Sequence, residues 1–344
     1  MHPALTVVRP GLFDTLQDVG RIGFLELGMP VAGAMDPVGL RLANTLAGNA
    51  AGTAAIEIGV MGPEIRVDAD SARLAVTGPI EVALIATDQA APVALPSDRS
   101  YLLTRGQRLR LGMVEGVNTA YLAIEGGLSL PSFMGSLATY TRAALGGIDG
   151  RKLAAGDLLP LILPAASRRD EQKLSRPFDY GDGPIRVVMG PQADYFSDAG
   201  IASFLGGEYA VTKEADRMGI RFEGPRIEHA KGWDIISDGI AYGAIQVPGA
   251  GQPIVLLADR QTIGGYPKIA CVASADLPRL SRMLPGQKVR FQAVGVAEAE
   301  ELRRELEKRI QSAIAAIVTA RPPGGIDLAA LYETNLISGV VPPA

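Results

Sequence analysis

Short apolar runs that end at glycine, proline or aspartate dominate the chain. Typical runs are TVVRPG near the N-terminus, ARLAVTG in the first half and PIVLLAD in the second. Runs of about four to seven residues with such boundaries predict β-strands joined by turns. The 41 glycines and 24 prolines among the 344 residues exceed the average combined share of about 12%. The predicted fold class is therefore mainly β, built as small antiparallel barrels or sandwiches rather than as a helical bundle.

Two segments depart from this pattern and predict helices. In MDPVGLRLANTLAGN, Asp36 is a plausible N-cap, Pro37 suits the first turn and Gly48 can end the helix. Residues 297–318 carry an apolar stripe at helical spacing, which predicts a C-terminal helix that packs on the barrels or binds a partner. The stripe consists of Leu302, Leu306, Ile310, Ile314 and Ile317. The tail after this helix resembles a docking or crossing-over arm.

The chain repeats itself at an offset of 180 residues. Matching positions include Asp14 with Asp194, Gly20 with Gly200, Asp36 with Asp216 and Gly39 with Gly219. A period this long indicates a duplicated domain rather than a solenoid. The segment of the second copy that matches the predicted helix, DRMGIRFEGP, has apolar residues at alternate positions, Ile220 and Phe222. This alternation is typical of a strand, so a local difference between the copies is expected there.

The repeat sets the predicted domain boundaries. Residues 1–183 form a first barrel with an insertion over 112–183, residues 184–295 form a second barrel, and residues 296–344 form the C-terminal helix and tail.

Charge and composition narrow the class of function. The formal charge is −4 and no long Lys/Arg run exists, so nucleic acid is not an expected partner. No apolar run is long enough to span a bilayer, and the single Cys271, expected to be a packing residue, suggests a cytoplasmic protein. The two histidines, His2 and His229, argue against a multi-histidine metal site, and no metal ligand set is predicted.

One copy carries a dense polar loop that the other copy lacks. Residues 259–268, here called the polar loop, follow the apolar run IVLLA, whereas the equivalent residues 79–88 are mostly aliphatic. The loop is therefore not a requirement of the fold. Its candidate site residues are Asp259, Arg260, Gln261, Thr262, Gly264, Gly265, Tyr266 and Lys268. The two cations suit a planar acid or a phosphate, and the glycine pair permits close backbone approach. A solvated hairpin with an Asp–Arg surface pair is the alternative.

The preceding stretch SDGIAYGAIQVPG adds three candidates. Asp238, Tyr242 and Gln246 recur at four-residue spacing among glycines. If AIQVP pairs with IVLLA, Tyr242 and Gln246 are expected to line the same mouth. Turn chemistry and core hydrogen bonding are the alternative roles.

Two further places carry weaker signals. Asp36 with Arg41, and Asp216 with Arg217, recur at matching positions of the two copies, which favours structural ion pairs. The segment LATYTRAALGG (137–147) places Arg142 beside a glycine pair. It is expected to fold over a site, to bind a partner or to be a plain loop.

Long motifs resemble a known family. VRPGLFDTLQDVGRIGFLELGMPVAGAMDPVGLRLAN, EADRMGIRFEGP, SDGIAYGAIQVPGAGQPIVLLADRQTIGGYPKIA and NLISGVV are similar to the biotin-dependent carboxyltransferase, or allophanate hydrolase subunit 2, family. The resemblance implies tandem duplicated cyclophilin-like β-barrels with a few helices. The family includes the C subunit of bacterial ATP-dependent 5-oxoprolinase, part of urea carboxylase, and a regulatory protein that antagonises an inhibitor of a sensor histidine kinase.

The resemblance implies a function in a complex. The expected activity is ATP-dependent opening of 5-oxoproline, a small cyclic amide, to glutamate. The implied cofactor is ATP, with Mg²⁺ as a possible companion. The implied partners are the smaller cyclophilin-like B component and the LamB-like A component of the same complex. Carboxyl transfer with biotin carried by a partner, and regulation by binding alone, are the alternatives. Allophanate hydrolysis is disfavoured, because the chain lacks an amidase serine and lysine loop.

The resemblance also implies roles for residues of the matching motifs. Arg260 and Lys268 would hold a substrate carboxylate or phosphate charge, and Asp259 or Asp238 would orient them or act as a base. Gln261 and Tyr266 would position the substrate. Asp36 and Arg217 also lie in matching motifs, whereas Arg142 lies outside them and is a candidate only from its place beside the glycine pair. The chain reads QTIGG where the family pattern is QTTGG, so Ile263 replaces a hydroxyl.

Overall fold

The computed structural model describes residues 2–320, which fold into two β bodies with the C-terminal helix packed against them. The first body contains β1 (Ala4–Arg9), β2 (Thr15–Gln17), α1 (Pro37–Ala47), β3 (Ala55–Gly59), β4 (Glu64–Val67), β5 (Ser71–Thr77), β6 (Ile80–Ile85), β7 (Val93–Leu95), β8 (Arg99–Thr104), β9 (Arg108–Val114), β10 (Thr119–Ile124), β11 (Leu158–Pro160) and β12 (Gln172–Lys173).

The second body follows directly in the chain. It contains β13 (Ile185–Met189), α2 (Asp198–Gly206), β14 (Tyr209–Ala215), β15 (Gly219–Glu223), β16 (Asp238–Gly239), β17 (Ala244–Gln246), β18 (Ile254–Leu256), β19 (Ile263–Gly264), β20 (Lys268–Val272), α3 (Leu277–Leu280), β21 (Lys288–Val289) and β22 (Phe291–Ala293). The chain then forms α4 (Val296–Ala315) and β23 (Val318–Thr319). Short 3₁₀ turns lie at Leu25–Leu27, Thr141–Ala143 and Ala193–Tyr195.

The first body is built from two packed sheets. One has the strand order β11-β1-β4-β9-β6-β7 and the other β2-β3-β10-β5-β8-β12-β23. Leu5 and Ile65 of the first sheet share one buried cluster with Ile56 and Leu74 of the second. Burial of both inner faces in one core is the driving force for this sandwich-like barrel.

The second body is a nearly closed barrel. Its sheet has the order β21-β14-β15-β18-β17-β20-β13-β22, and the two edge strands are separated by the single residue Arg290. The chain therefore brings the two edge strands close together, although no backbone pairing joins β21 to β22 among the described residues. Phe204 and Phe291 stack in the core with ring centroids 4.8 Å apart. The predicted mainly β fold of two barrels is confirmed.

Residues of the predicted insertion, 112–183, take part in the sheets of the first body. β9 continues through residue 112, and β10 lies inside the seven-stranded sheet, between β3 and β5. β11 and β12 also join sheets of the first body. These residues complete the first barrel because its core needs their apolar side chains.

The offset of 180 residues is not a strand-by-strand equivalence. Residues 37–47 form α1, whereas the matching stretch contains β15, the local difference that the alternation predicted. Val7 pairs with Ile65, but Val187 pairs with Val272. Residues that match in the sequence repeat, such as Val7 and Val187, therefore lie opposite non-matching residues of the neighbouring strand in the two barrels.

The helix predictions are confirmed within the described residues. The Asp36 side chain accepts hydrogen bonds from the backbone N–H groups of Val38 at 3.0 Å and Gly39 at 3.1 Å, and Gly48 is left-handed at the C-terminus of α1. Leu306 and Ile310 of α4 are buried in one cluster with residues of α1. The tail lies outside the described residues.

The predicted ion pairs within each copy are wrong. Arg41 pairs with Glu307 of α4 at 2.9 Å rather than with Asp36, because the exposed side of α1 faces α4. The observed partners of the other three are Arg282 for Asp36, Arg142 for Asp216, and Glu57 with Asp259 for Arg217.

Arg217 joins the two barrels through buried charges. Its guanidinium donates to Glu57 of β3, and to both carboxylate oxygens of Asp259 at 3.0 and 2.9 Å. It also donates to the Gly33 carbonyl at 2.6 Å. Burial by itself would lower the pKa of Arg217, but the two carboxylates raise it above its usual value. Glu57 additionally accepts from the Tyr121 hydroxyl at 2.6 Å. We call Glu57, Arg217 and Asp259 the inter-barrel bridge.

Arg217→Met is expected to lower the free energy of unfolding by about 3–5 kcal/mol, because two buried carboxylates lose their cation. Urea unfolding measures the loss. The matched control is Arg221→Met on β15, which removes a guanidinium that pairs with Glu214 at the surface and costs at most about 1 kcal/mol. Equal losses in the two variants would contradict the role of the bridge.

Asp14 is a second buried charge with a measurable signature. One carboxylate oxygen accepts from the Gly11 backbone N–H at 2.6 Å, and the other has no hydrogen-bond partner among the described residues. Burial raises the pKa of Asp14 to about 7. The folded protein therefore binds a proton here more tightly than the unfolded chain does.

Stability is expected to fall as pH rises from about 4 to about 7, because the ionised Asp14 carboxylate is penalised only in the folded state. The full contribution is up to about 4 kcal/mol. Asp14→Asn removes this ionisation, so the difference in unfolding free energy between variant and wild type should move in favour of the variant over this range. A difference that does not change with pH would refute the assignment.

Candidate functional site

The polar loop runs from the end of β18 to the start of β20 in the second barrel. Its residues Ile263–Gly264 form β19, which pairs with β16 so that Asp238 lies opposite Gly264. A small apolar cluster of Ile240, Ala244 and Leu256 packs beneath this hairpin. The predicted pairing of the AIQ and IVL segments is confirmed, since β17 pairs with β18. The hairpin is thus anchored by apolar contacts.

Lys268 is a buried cation with one acidic partner. The residue is 2% exposed, and its Nζ lies 3.2 Å from Asp238, whose side chain is 54% exposed. The Nζ makes no well-formed hydrogen bond to a described residue. Contact with Lys268 lowers the pKa of Asp238. A buried ammonium with unused donors is suited to bind an anion or a carbonyl oxygen.

Gln192 belongs to this cluster, although the sequence did not single it out. Its Nε2 donates to Asp238 at 3.2 Å, and its Oε1 accepts from the backbone N–H of Lys268 at 3.1 Å. One amide therefore fixes the acid relative to the lysine. The only sequence signal was its place in GPQAD, directly after the apolar run of β13.

Two further amides converge on Gly264. A Cβ at Gly264 would lie 2.8 Å from Nε2 of Gln246 and 3.5 Å from Nε2 of Gln261. Gln246 is buried and reaches the Tyr266 carbonyl at 3.5 Å, while Oε1 of Gln261 is buried without a hydrogen-bond partner among the described residues. A side chain at position 264 would therefore collide with Gln246. Donor and acceptor atoms of an amide are both presented here.

A cavity of about 440 Å³ opens beside these amides. We call it the first cavity; the candidate residues that line it are Arg142, Gln246, Gln261 and Tyr266. Arg142 comes from the first barrel and pairs with Asp216 of the second at 3.1 Å. Residues 137–147 thus contribute one cation from the first barrel to the wall of this cavity.

The remaining candidates lie elsewhere. Tyr242 and Arg260 line a different space, the second cavity, so the expectation that Tyr242 and Gln246 share one mouth is wrong. Asp259 belongs to the inter-barrel bridge, as does Arg217. The alternative of an Asp259–Arg260 surface pair is also wrong, because both residues are buried and Asp259 pairs with Arg217 instead.

The last candidates, Thr262, Gly265 and Asp36, have structural roles. Thr262 accepts a hydrogen bond from the Ile240 N–H at 3.0 Å through its carbonyl, and Gly265 accepts from the Ile235 N–H at 2.9 Å. Asp36 caps α1 and accepts from the Tyr180 hydroxyl at 2.5 Å. Ile263 is exposed. Thr262 and Gly265 therefore hold the hairpin in place through their backbone, and Asp36 holds the start of α1.

Within residues 2–320, no group of three His, Cys, Asp or Glu side chains is placed to hold a metal ion. Over the same residues, no helix has the length and apolar character needed to cross a bilayer. His229 contacts the Val247 carbonyl at 2.9 Å and packs on Phe196. Burial raises the pKa of the Cys271 thiol, in keeping with its expected packing role.

Known proteins resemble this chain over most of its length. The C subunit of the 5-oxoprolinase of Escherichia coli (strain K12) is 34% identical over 307 residues, which are 88% of this chain and 96% of that protein. The protein of the same name from Haemophilus influenzae is 35% identical over 85% of this chain and 92% of its own length. The crystal structure of the K. lactis urea amidolyase has a TM-score of 0.80 and 28% identity, covering 91% of this chain and 20% of that one.

The family model described as carboxyltransferase domain, subdomain A and B, matches residues 27–293. This range contains α1, both halves of the inter-barrel bridge and the whole polar loop. The resemblance seen in the sequence motifs is confirmed, and the chain belongs to the carboxyltransferase domain family with subdomains A and B.

Proposed function

We propose that this chain is the C subunit of a cytoplasmic ATP-dependent 5-oxoprolinase, which opens 5-oxoproline to glutamate together with companion proteins. The observation that carries the proposal is the match in length: the two bacterial relatives align over 92–96% of their own length. The match to the urea amidolyase covers only 20% of the length of the urea amidolyase chain.

We call Gln192, Asp238, Gln246, Gln261 and Lys268 the polar cluster, and its side chains fit the chemistry of this substrate. 5-Oxoproline presents a planar cyclic amide and a carboxylate. The side-chain amides of Gln246 and Gln261 can accept from the ring N–H and donate to the carbonyl. The unused donors of Lys268 suit the carboxylate or the negative charge that develops on the carbonyl oxygen, and Arg142 adds a second cation at the cavity.

The reaction needs activation, because a lactam is a poor electrophile. ATP, bound in the complex, would transfer its terminal phosphoryl group to the carbonyl oxygen and leave as ADP. One water would then add to the activated carbon, breaking the ring C–N bond to give γ-glutamyl phosphate, and a second water would hydrolyse that acyl phosphate to glutamate and phosphate. Lys268 would stabilise the charge on the carbonyl oxygen. Asp238, held by Gln192, would accept a proton from the attacking water.

Partner proteins are part of the proposal. The expected companions are the smaller cyclophilin-like B component and the LamB-like A component. Trp233, Ile236 and Ile263 are exposed close to the polar cluster, and Ile236 is 94% exposed. Exposed large apolar side chains around a polar site are typical of a surface that another protein covers.

Carboxyl transfer to urea or a related amide is the second candidate. The structural match to the K. lactis urea amidolyase favours it. It requires biotin carried by a partner chain. Carboxylation of an amide by this chain with a biotinylated carrier, in the absence of 5-oxoproline turnover, would replace the first proposal.

The complex reconstituted from this chain and its two companions is expected to release glutamate from 5-oxoproline only when ATP is present. Omission of this chain should abolish the release of glutamate, because the polar cluster is then missing. Glutamate release and ADP formation are measured in the same samples. Undiminished release without this chain would contradict the proposal.

Lys268→Met should lower kcat/KM of the complex about 100-fold, because one preorganised cation for the reacting carbonyl or carboxylate is lost. Lys288→Met is the matched control, since Lys288 forms an exposed pair with Glu208; its rate should not change. A rate for Lys268→Met within threefold of wild type, in a complex that assembles normally, would remove this cluster as the site.

A further inference from the structure

The second cavity is separate from the first and larger, at about 490 Å³. It lies where the first barrel, the second barrel and α4 meet, and the two cavities share none of their lining residues. Much of its wall is apolar. The apolar lining from α1, α3 and α4 includes Val38, Leu40, Leu277, Pro278, Leu306 and Ile310.

Arg260 lines this cavity as a buried cation without an acidic partner among residues 2–320. It is 6% exposed. Its Nε donates to the Ile240 carbonyl at 3.2 Å and its Nη1 to the Leu257 carbonyl at 3.3 Å, and the guanidinium lies 5.4 Å from the centre of the Tyr242 ring. Within the described part of the chain, no ion pair joins it to a carboxylate and Nη2 has no acceptor. Such a charge is costly to bury unless an anion joins it.

The other charged groups of the wall are already engaged. Arg41 and Arg303 share Glu307, at 2.9 and 3.8 Å. The carboxylate of Asp18 accepts from the Gly20 N–H, the Ser136 hydroxyl and the Leu137 N–H at 2.7–2.8 Å. The lining therefore carries three guanidinium groups and one carboxylate that three donors already satisfy, so an anion is favoured and a cation is not.

We propose that the second cavity binds a small monocarboxylic acid with an apolar body. The carboxylate would receive the remaining N–H groups of Arg260, and the apolar body would contact the side chains of α1, α3 and α4. The apolar wall disfavours a multiply charged phosphate, whose remaining oxygens would lose water without new donors.

The position of the site links it to both barrels. Arg260 directly follows Asp259 of the inter-barrel bridge and directly precedes Gln261 of the first cavity. A bound acid would therefore restrain the start of the polar loop. The proposal does not depend on the 5-oxoprolinase assignment, because it uses a different cavity and a different cation.

Calorimetric titration of the full chain with hexanoate tests the site. Hexanoate should bind at least tenfold more tightly than acetate, which lacks the apolar body, and than hexanamide, which lacks the charge. Arg260→Gln should weaken hexanoate binding at least tenfold. Arg221→Gln, which alters a residue of the first cavity, should leave it unchanged.

Ser274→Phe provides a second variant, because Ser274 is an exposed residue of the cavity wall and a phenyl ring there should block access without touching Arg260. Equal affinity for hexanoate and hexanamide would overturn the proposal. Binding by folded Arg260→Gln within threefold of wild type would also overturn it. Should Arg260→Gln fail to fold, undiminished binding by Ser274→Phe would overturn it instead.

Discussion

The inter-barrel bridge is the interaction on which the arrangement of the candidate sites depends. Arg217, whose side chain is 21% exposed, is held between the buried carboxylates of Glu57 in the first barrel and Asp259 in the second. Removing charges from water is costly, so the three groups are stable only when they are together. Because Asp259 is the first residue of the polar loop, the same contact that docks the barrels also fixes where that loop begins.

The polar loop serves two cavities from one short segment. Arg260 turns toward the junction of the barrels and α4, whereas Gln261 and Tyr266 face the cavity that Arg142 reaches from the first barrel. Lys268 ends the loop beneath the β16–β19 hairpin, next to Asp238. Neither barrel alone supplies the walls of either cavity.

Sequence patterns predicted the strands, the capped helix α1 and the amphipathic helix α4, because local periodicity and capping chemistry determine these elements. They also located the polar loop. They did not predict which way Arg260 points, since a loop has no side-chain period. Glu57 was missed because the alternation in AIEIG makes it look like a solvent-facing residue of a strand, whereas that face is covered by the second barrel. Gln192 was missed because it lies 76 residues from Lys268.

The central claim is that 5-oxoproline binds at the polar cluster that contains Lys268. The most direct test is the equilibrium affinity of the assembled complex for 5-oxoproline without ATP, measured by calorimetry for wild type, Gln246→Leu and Lys268→Met. The account predicts at least a tenfold loss of affinity in both variants, with normal assembly. Wild-type affinity in both variants would contradict it and place the substrate elsewhere in the complex.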